Sequence, residues 1–247
     1  MTGTKKLART VGVLYIVGTA AGILSAVFAG PILNQGGLDE LLDTERSLVV
    51  GSLLVLLMGF SLAMIPVVLF PLLRKVSEIL ALGAVLFRGA LEAVAYVAVA
   101  FTWLGLVTIG RASAGAGVEQ AASLESIRTV LLGAEEWTTL VLAIVFCLGA
   151  LMIYAVFFAS RLVPRWLSAW GLVGAVLYLS VPFLGLVGLD GLDALMVPLA
   201  VQEMVLAVWL IVKGFDADVT ARLVRTRHDS APAGLPAVTA RHLGYQP

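Results

Sequence analysis

ILALGAVLFRGALEAVAYVAVAFTWLGLVTI, residues 79–109, is long enough to cross a bilayer, yet it holds two full charges, Arg88 and Glu92. A spanning helix needs about 20 mostly apolar residues, so this run must tilt or protrude. Positions four apart share one helical face, which puts the guanidinium and the carboxylate one turn from each other. An ion in hydrocarbon costs at least ~2.5–3.5 kcal/mol. Counted from Glu78 at ~1.5 Å per residue, Arg88 lies about 15 Å along the axis, half of a ~30 Å hydrocarbon core. That is too deep for easy snorkelling, so Arg88 is expected to face protein or a wet cavity.

The rest of the chain reads the same way. Of 247 residues, 60% are hydrophobic and 13% charged, against about 25% charged in soluble domains; the mean hydropathy is +1.03. Formal net charge is zero, so no basic field argues for nucleic acid as a partner. The single cysteine, Cys147, lies in an apolar run and cannot form an intrachain disulfide. With both histidines in the C-terminal tail, the chain lacks a zinc or haem ligand set, and no cofactor is expected.

Six apolar spans follow in order: about 8–33, 47–73, 79–109, 135–159, 167–187 and 194–212. The first has a secretory-signal look, with Val27-Phe28-Ala29 resembling a cleavage site, but it outruns a ~7–15-residue signal core and reads as a retained span. Gly18, Gly22 and Ala26 form a small-residue face suited to a close neighbour. Asn34–Arg46 reads as a polar loop. Pro66 is expected to kink the second span. Arg111–Ala122 reads as a loop, and Ser123–Gly133 as an interfacial helical lead-in to the fourth span. Ser160–Trp166 is a tight basic loop, with Pro164 placed for the next helix. Residues 1–214 thus read as one six-helix transmembrane domain of all-α class. Residues 215–247 read as a juxtamembrane segment, amphipathic over Asp216–His228, followed by a disordered tail from Ser230. No inverted repeat is visible.

Lys and Arg set the orientation. Lys5, Lys6, Arg9, Arg74, Lys75, Arg161, Arg165, Lys213, Arg222, Arg225, Arg227 and Arg241 fall on one side; only Arg46, Arg111 and Arg128 fall on the other. The expectation is a multi-pass membrane protein with both termini in the cytoplasm. Trp166 and Trp170 at one boundary and Trp137 at the other fit interfacial belts.

ASRLVPRWLSAWGLVG (159–174) and QEMVLAVWLIVKGF (202–215) resemble signature stretches of a bacterial integral-membrane family, catalogued as domain of unknown function 4386. ARTVGVLYIVGTAAG (8–22) and FRGALEAVAY (87–96) are similar to it as well. The resemblance covers roughly Lys5 to Phe215. It implies a multi-span membrane protein and supplies no reaction.

The candidate site is a buried polar cluster of Arg88, Glu92, Tyr96, Gln202 and Glu203. Glu203 lies ten residues before Lys213, about 15 Å from that boundary, at the same depth as Arg88. Arg88 is expected to pair with Glu203, Glu92 or both across a contact of the third and sixth spans. The pair either holds helices in register or forms a ligand or proton site. Tyr96 continues the Arg88–Glu92 face by one turn. Weaker candidates are Glu136, which shares a face with Ala143, Cys147 and Tyr154, and Arg161 with Arg165, which either mark topology or hold anionic lipid headgroups. Glu135 and Glu136 also suit a helix N-terminus.

Ser160 and Ser168 have no histidine nearby in sequence, and no GxSxG, HExxH, Walker A or GxGxxG pattern occurs. The chain leans away from the enzymes, and no catalytic residue is assigned. Three classes follow in order: a structural or binding protein that holds a small amphiphilic ligand in its bundle; a charge-coupled carrier using Arg88, Glu92 and Glu203; and an intramembrane lipid-modifying enzyme using the carboxylates as acid and base. Partners in view are the bilayer, anionic lipid at the cytoplasmic face, and a second copy of the chain.

Overall fold

A computed structural model describes residues 2–35, 37–189 and 191–229. Long apolar runs in a bilayer must satisfy their backbone internally, and helices do so. Among the described residues, six helical stretches are long and apolar enough to cross a membrane. They comprise α1 (Thr2–Gln35), α3 (Glu45–Leu73), a composite third span, α6 (Val118–Ser160), α7 (Arg165–Leu186), and a sixth span running from a 3₁₀ turn at Asp193–Met196 into α8 (Val197–Val212). The third span joins α4 (Glu78–Ala84), a π-helical segment (Val85–Leu91) and α5 (Glu92–Ser113). Short α2 (Leu38–Asp43) lies between the first two spans, and α9 (Ala217–Asp229) follows the sixth.

Neighbours in sequence are neighbours in space. α1 packs on α3, α3 on α5, α5 on α6, α6 on α7 and α7 on α8, and α8 closes back on α1. The result is a closed ring of six spans with buried side chains at its centre.

Close approach depends on small residues. A Cβ on Gly18 would lie 2.7 Å from Leu62 Cδ2, and one on Gly22 would lie 2.4 Å from Met58 Sδ, so the expected small-residue face receives α3. Ala26 does not continue that face, because it is exposed. Ser25 and Ala29 continue it and meet Gly51.

Local chemistry explains the ends. The Ser77 hydroxyl accepts from Leu80 N–H at 3.3 Å, capping α4 with Glu78 in its first turn. Arg161 takes the left-handed conformation (φ 61°) at the end of α6 and donates its N–H to Phe157 O at 2.9 Å. Asp216 caps α9, accepting from Val219 N–H at 2.9 Å, while its own N–H donates to Leu162 O. Val219 is buried and Leu223 packs on the core, as the amphipathic reading of Asp216–His228 expects. Thr4 and Lys5 lie across a small cavity from Phe215, Ala217 and Thr220, so the start of α1 and the start of α9 share one side of the bundle.

Two stretches read as loops contain more helix. The Asn34–Arg46 connection holds α2, whose Leu41 is buried against Gly110. The fourth helix starts at Val118, before the expected lead-in, and continues unbroken through Gly133 to Ser160. Its early residues include strong helix formers (Ala, Glu, Gln, Leu) and an Arg128–Glu125 pair one turn apart at 2.8 Å. At ~1.5 Å per residue α6 is about 64 Å long. α3 passes through Pro66 and Pro71 without ending. The tail expected to be disordered from Ser230 lies outside the described residues.

Candidate functional site

Among the described residues Arg88 is the largest fully enclosed side chain, and it occupies the centre of the ring. It projects from the π-helical segment, where the Glu92 N–H reaches back to Phe87 O, five residues earlier. Such segments are rare and concentrate at functional positions. Gly149 of α6 is the surface against which this turn rests. A Cβ there would lie 2.5 Å from Arg88 Cβ and 2.8 Å from Arg88 N.

The guanidinium reaches across the ring. Its Nη2 lies 2.8 Å from Glu203 Oε1 on α8, and its Nε lies 3.9 Å from Glu92 Oε2. The expected pairing of Arg88 with Glu203 is therefore present, but not at a contact of adjacent helices: α5 and α8 stand on opposite sides of the ring, and the side chains span it. The Arg88 Cζ is 4.6 Å from the Phe146 ring centroid and 5.5 Å from that of Tyr15, within cation–π range. The Tyr154 hydroxyl donates to Glu203 Oε1 at a long 3.5 Å.

This cluster is not closed. Both Glu92 oxygens and all three Arg88 nitrogens lack a hydrogen bond of good geometry, even though the Arg88–Glu203 charges are close. Orphaned buried polar groups are uncommon and call for a physical reason. Glu203, the partner of Arg88, lines a cavity of about 330 Å³ between α6, α7 and α8, together with Tyr96, Thr139, Ala143, Phe146 and Tyr178, while Arg88 and Glu92 lie outside its lining. Phe146 and Tyr178 meet edge to face at 5.2 Å. Thr139 and Ala200, both exposed, mark where the cavity opens.

The remaining sequence candidates divide. Tyr96 lines this cavity and is buried against Gly59. Tyr154 joins through Glu203. Gln202 is buried but turned away, donating to Leu167 O on α7 at 3.0 Å. Glu136 is exposed: its face enters the interior at Ala143 and Cys147 and has left it by residue 136. Glu135 accepts from Thr139 at 3.4 Å. Arg161 and Arg165 line a separate cavity of about 530 Å³ with Trp209, Lys213, Phe215 and Asp216. Ser160 donates to Val156 O at 2.7 Å. Tyr15, Phe146 and Tyr178 are the site residues that sequence reasoning passes over.

Six crossing helices around an enclosed ion cluster define a polytopic helical integral membrane protein. A family model described as domain of unknown function DUF4386 matches residues 10–214, and the chain belongs to that family. No curated protein and no solved structure matches it.

Proposed function

We propose that the protein binds a small amphiphilic molecule in the cavity between α6, α7 and α8, with Glu203 as its charged wall residue and Arg88 and Glu92 enclosed behind it. One observation carries this reading: Glu203 is at once the ion-pair partner of a fully buried arginine and part of a cavity wall. A static register-holding pair would be expected in a closed core with its polar atoms satisfied, and Glu92 is left without hydrogen bonds. About 330 Å³ is at the small end of ligand pockets, and a mainly apolar lining with few polar groups is their usual composition.

The test is mass spectrometry of small molecules released from purified wild type and from Ala143→Phe, which fills the cavity. A compound retained by wild type and lost in the variant supports the reading; identical profiles from two folded proteins overturn it.

Two finer assignments accompany it. The side carrying the twelve basic residues is the cytoplasmic one, with both termini there. The cavity of Arg161, Arg165 and Lys213 holds an anionic lipid headgroup at that face. A carrier is the second reading, favoured by the π-helical turn at the charged residues; it requires transport that fails in Glu92→Gln.

A further inference from the structure

Two features at one end of the sixth span join into a single site. The first is the cavity of about 530 Å³ lined by Arg161, Arg165 and Lys213, where the apolar span stops at Val212. Asp216 is the one carboxylate on its wall, and it already accepts from Val219 N–H at the start of α9. Three cationic side chains therefore face an opening whose acid is engaged elsewhere. The first turn of α7, entered at Pro164 and Arg165, borders the same space and adds the positive end of a helix dipole.

The second is an apolar groove of about 460 Å³ on the outer face of α8. Val201, Val205, Val208 and Val212 recur three or four residues apart, so they form one stripe. Val201, Val208 and Val212 are exposed. Valine is short and stiff at χ1, which gives the groove a fixed shape. From Val201 to Val212 it runs about 16 Å at ~1.5 Å per residue, the depth of one leaflet of a ~30 Å hydrocarbon core.

Trp209 and Lys213 line both features, so the groove runs into the cavity. The Trp209 ring is held edge to face against Trp166, with centroids 6.4 Å apart, and indoles settle at the headgroup level of a bilayer. Lys213 has an apolar stem and a charged head, matching the change from groove to cavity. Basic charge alone would suit any soluble anion. A leaflet-deep apolar groove joined to it suits a molecule that is anionic at one end and hydrocarbon at the other.

Resting on the headgroup reading above, we infer that cavity and groove together seat one intact anionic phospholipid. Its phosphate lies among Arg161, Arg165 and Lys213, and one acyl chain lies along α8. No bond is made or broken.

The experiment uses the delipidated full chain in dodecylmaltoside and radiolabelled dioleoylphosphatidylglycerol, with dioleoylphosphatidylcholine and glycerol 1-phosphate as competitors. Expected is saturable binding of the anionic lipid and at least tenfold weaker competition by the other two. The double variant Arg165→Gln, Lys213→Gln should bind tenfold or more weakly. Val208→Trp plugs the groove, leaves every charge in place and should weaken binding threefold or more. Val201→Trp plugs it from the deep end and serves as the second groove variant should Val208→Trp fail to fold.

Undiminished binding in the folded groove variants, or glycerol 1-phosphate competing as well as unlabelled anionic lipid, overturns the seating of the chain. The headgroup reading then survives if the double charge variant still weakens binding. Phosphatidylcholine competing as well as the anionic lipid, undiminished binding in the charge variant, or no saturable binding at all overturns both.

Discussion

Replacing Arg88 is expected to cost more than replacing either of its partners, because the guanidinium is the one group that both carboxyls meet. At an effective dielectric of about 20, unit charges 2.8 Å apart attract by about 6 kcal/mol and charges 3.9 Å apart by about 4 kcal/mol, before desolvation. Arg88→Met discards both attractions and strands the Glu203 carboxylate. Stranding a buried charge typically costs about 3–5 kcal/mol. Glu203→Gln keeps the volume and leaves Arg88 with Glu92 as a one-to-one pair, so its cost is that of a charged hydrogen-bonding group, about 1–3 kcal/mol. At about 2–4 °C per kcal/mol for a chain of this size, Arg88→Met should lower Tm by about 6–20 °C and Glu203→Gln by about 2–12 °C. Helical ellipticity followed through melting in dodecylmaltoside reads both. If Arg88→Met melts within about 2 °C of wild type, or loses less than Glu203→Gln, the central role of the guanidinium is refuted.

Gly149→Val places a branched side chain where Arg88 Cβ and backbone already stand; overpacking of about 1–3 kcal/mol or more should appear as a lower Tm, and an unchanged melt would show that the two helices separate freely. Arg161→Gly should raise Tm, because a left-handed residue with a Cβ carries about 1–2 kcal/mol that glycine does not; a fall would mean that the arginine side chain outweighs that strain. Cys147 is fully buried and should resist maleimide in the folded state, reacting only after denaturation in SDS; fast labelling of native protein would place it on an open path. Cysteine placed at Lys75 in a Cys147→Ser background should be labelled by an impermeant reagent only after the cells are opened, and cysteine at Arg111 before; the reverse would invert the proposed orientation.

A pairing of Arg88 with Glu203, Glu92 or both was readable before any coordinates because lone charges at equal depth in oil have few other ways to lower their energy. The number and order of spans were readable for a related reason: 20 or more apolar residues between charged ends have one favourable fate. The ring arrangement was not. Apolar faces in a bilayer give little sign of which neighbour they meet, since lipid tails are as apolar as leucine. Phe146 and Tyr178 look in sequence like lipid-facing aromatics, and only the packing of α6 on α7 turns them inward. No residue type encodes the π-helical turn at Val85–Leu91; Gly89 and the Gly149 contact permit it without announcing it. Glu136 stayed open between an inner seam and water because a shared helical face says nothing about where along its length the interior ends.

The length of α6 has a practical outcome. At about 64 Å, and even inclined by about 40°, it outreaches a bilayer of ~40–45 Å including headgroups. Its first turn or two, beginning at the exposed Val118, therefore extend about 4–9 Å past the headgroups as a short rigid rod. A protein this small is hard to align in electron images. That rod offers a point where an antibody fragment or a fused helical partner can be attached without touching the membrane-embedded ring.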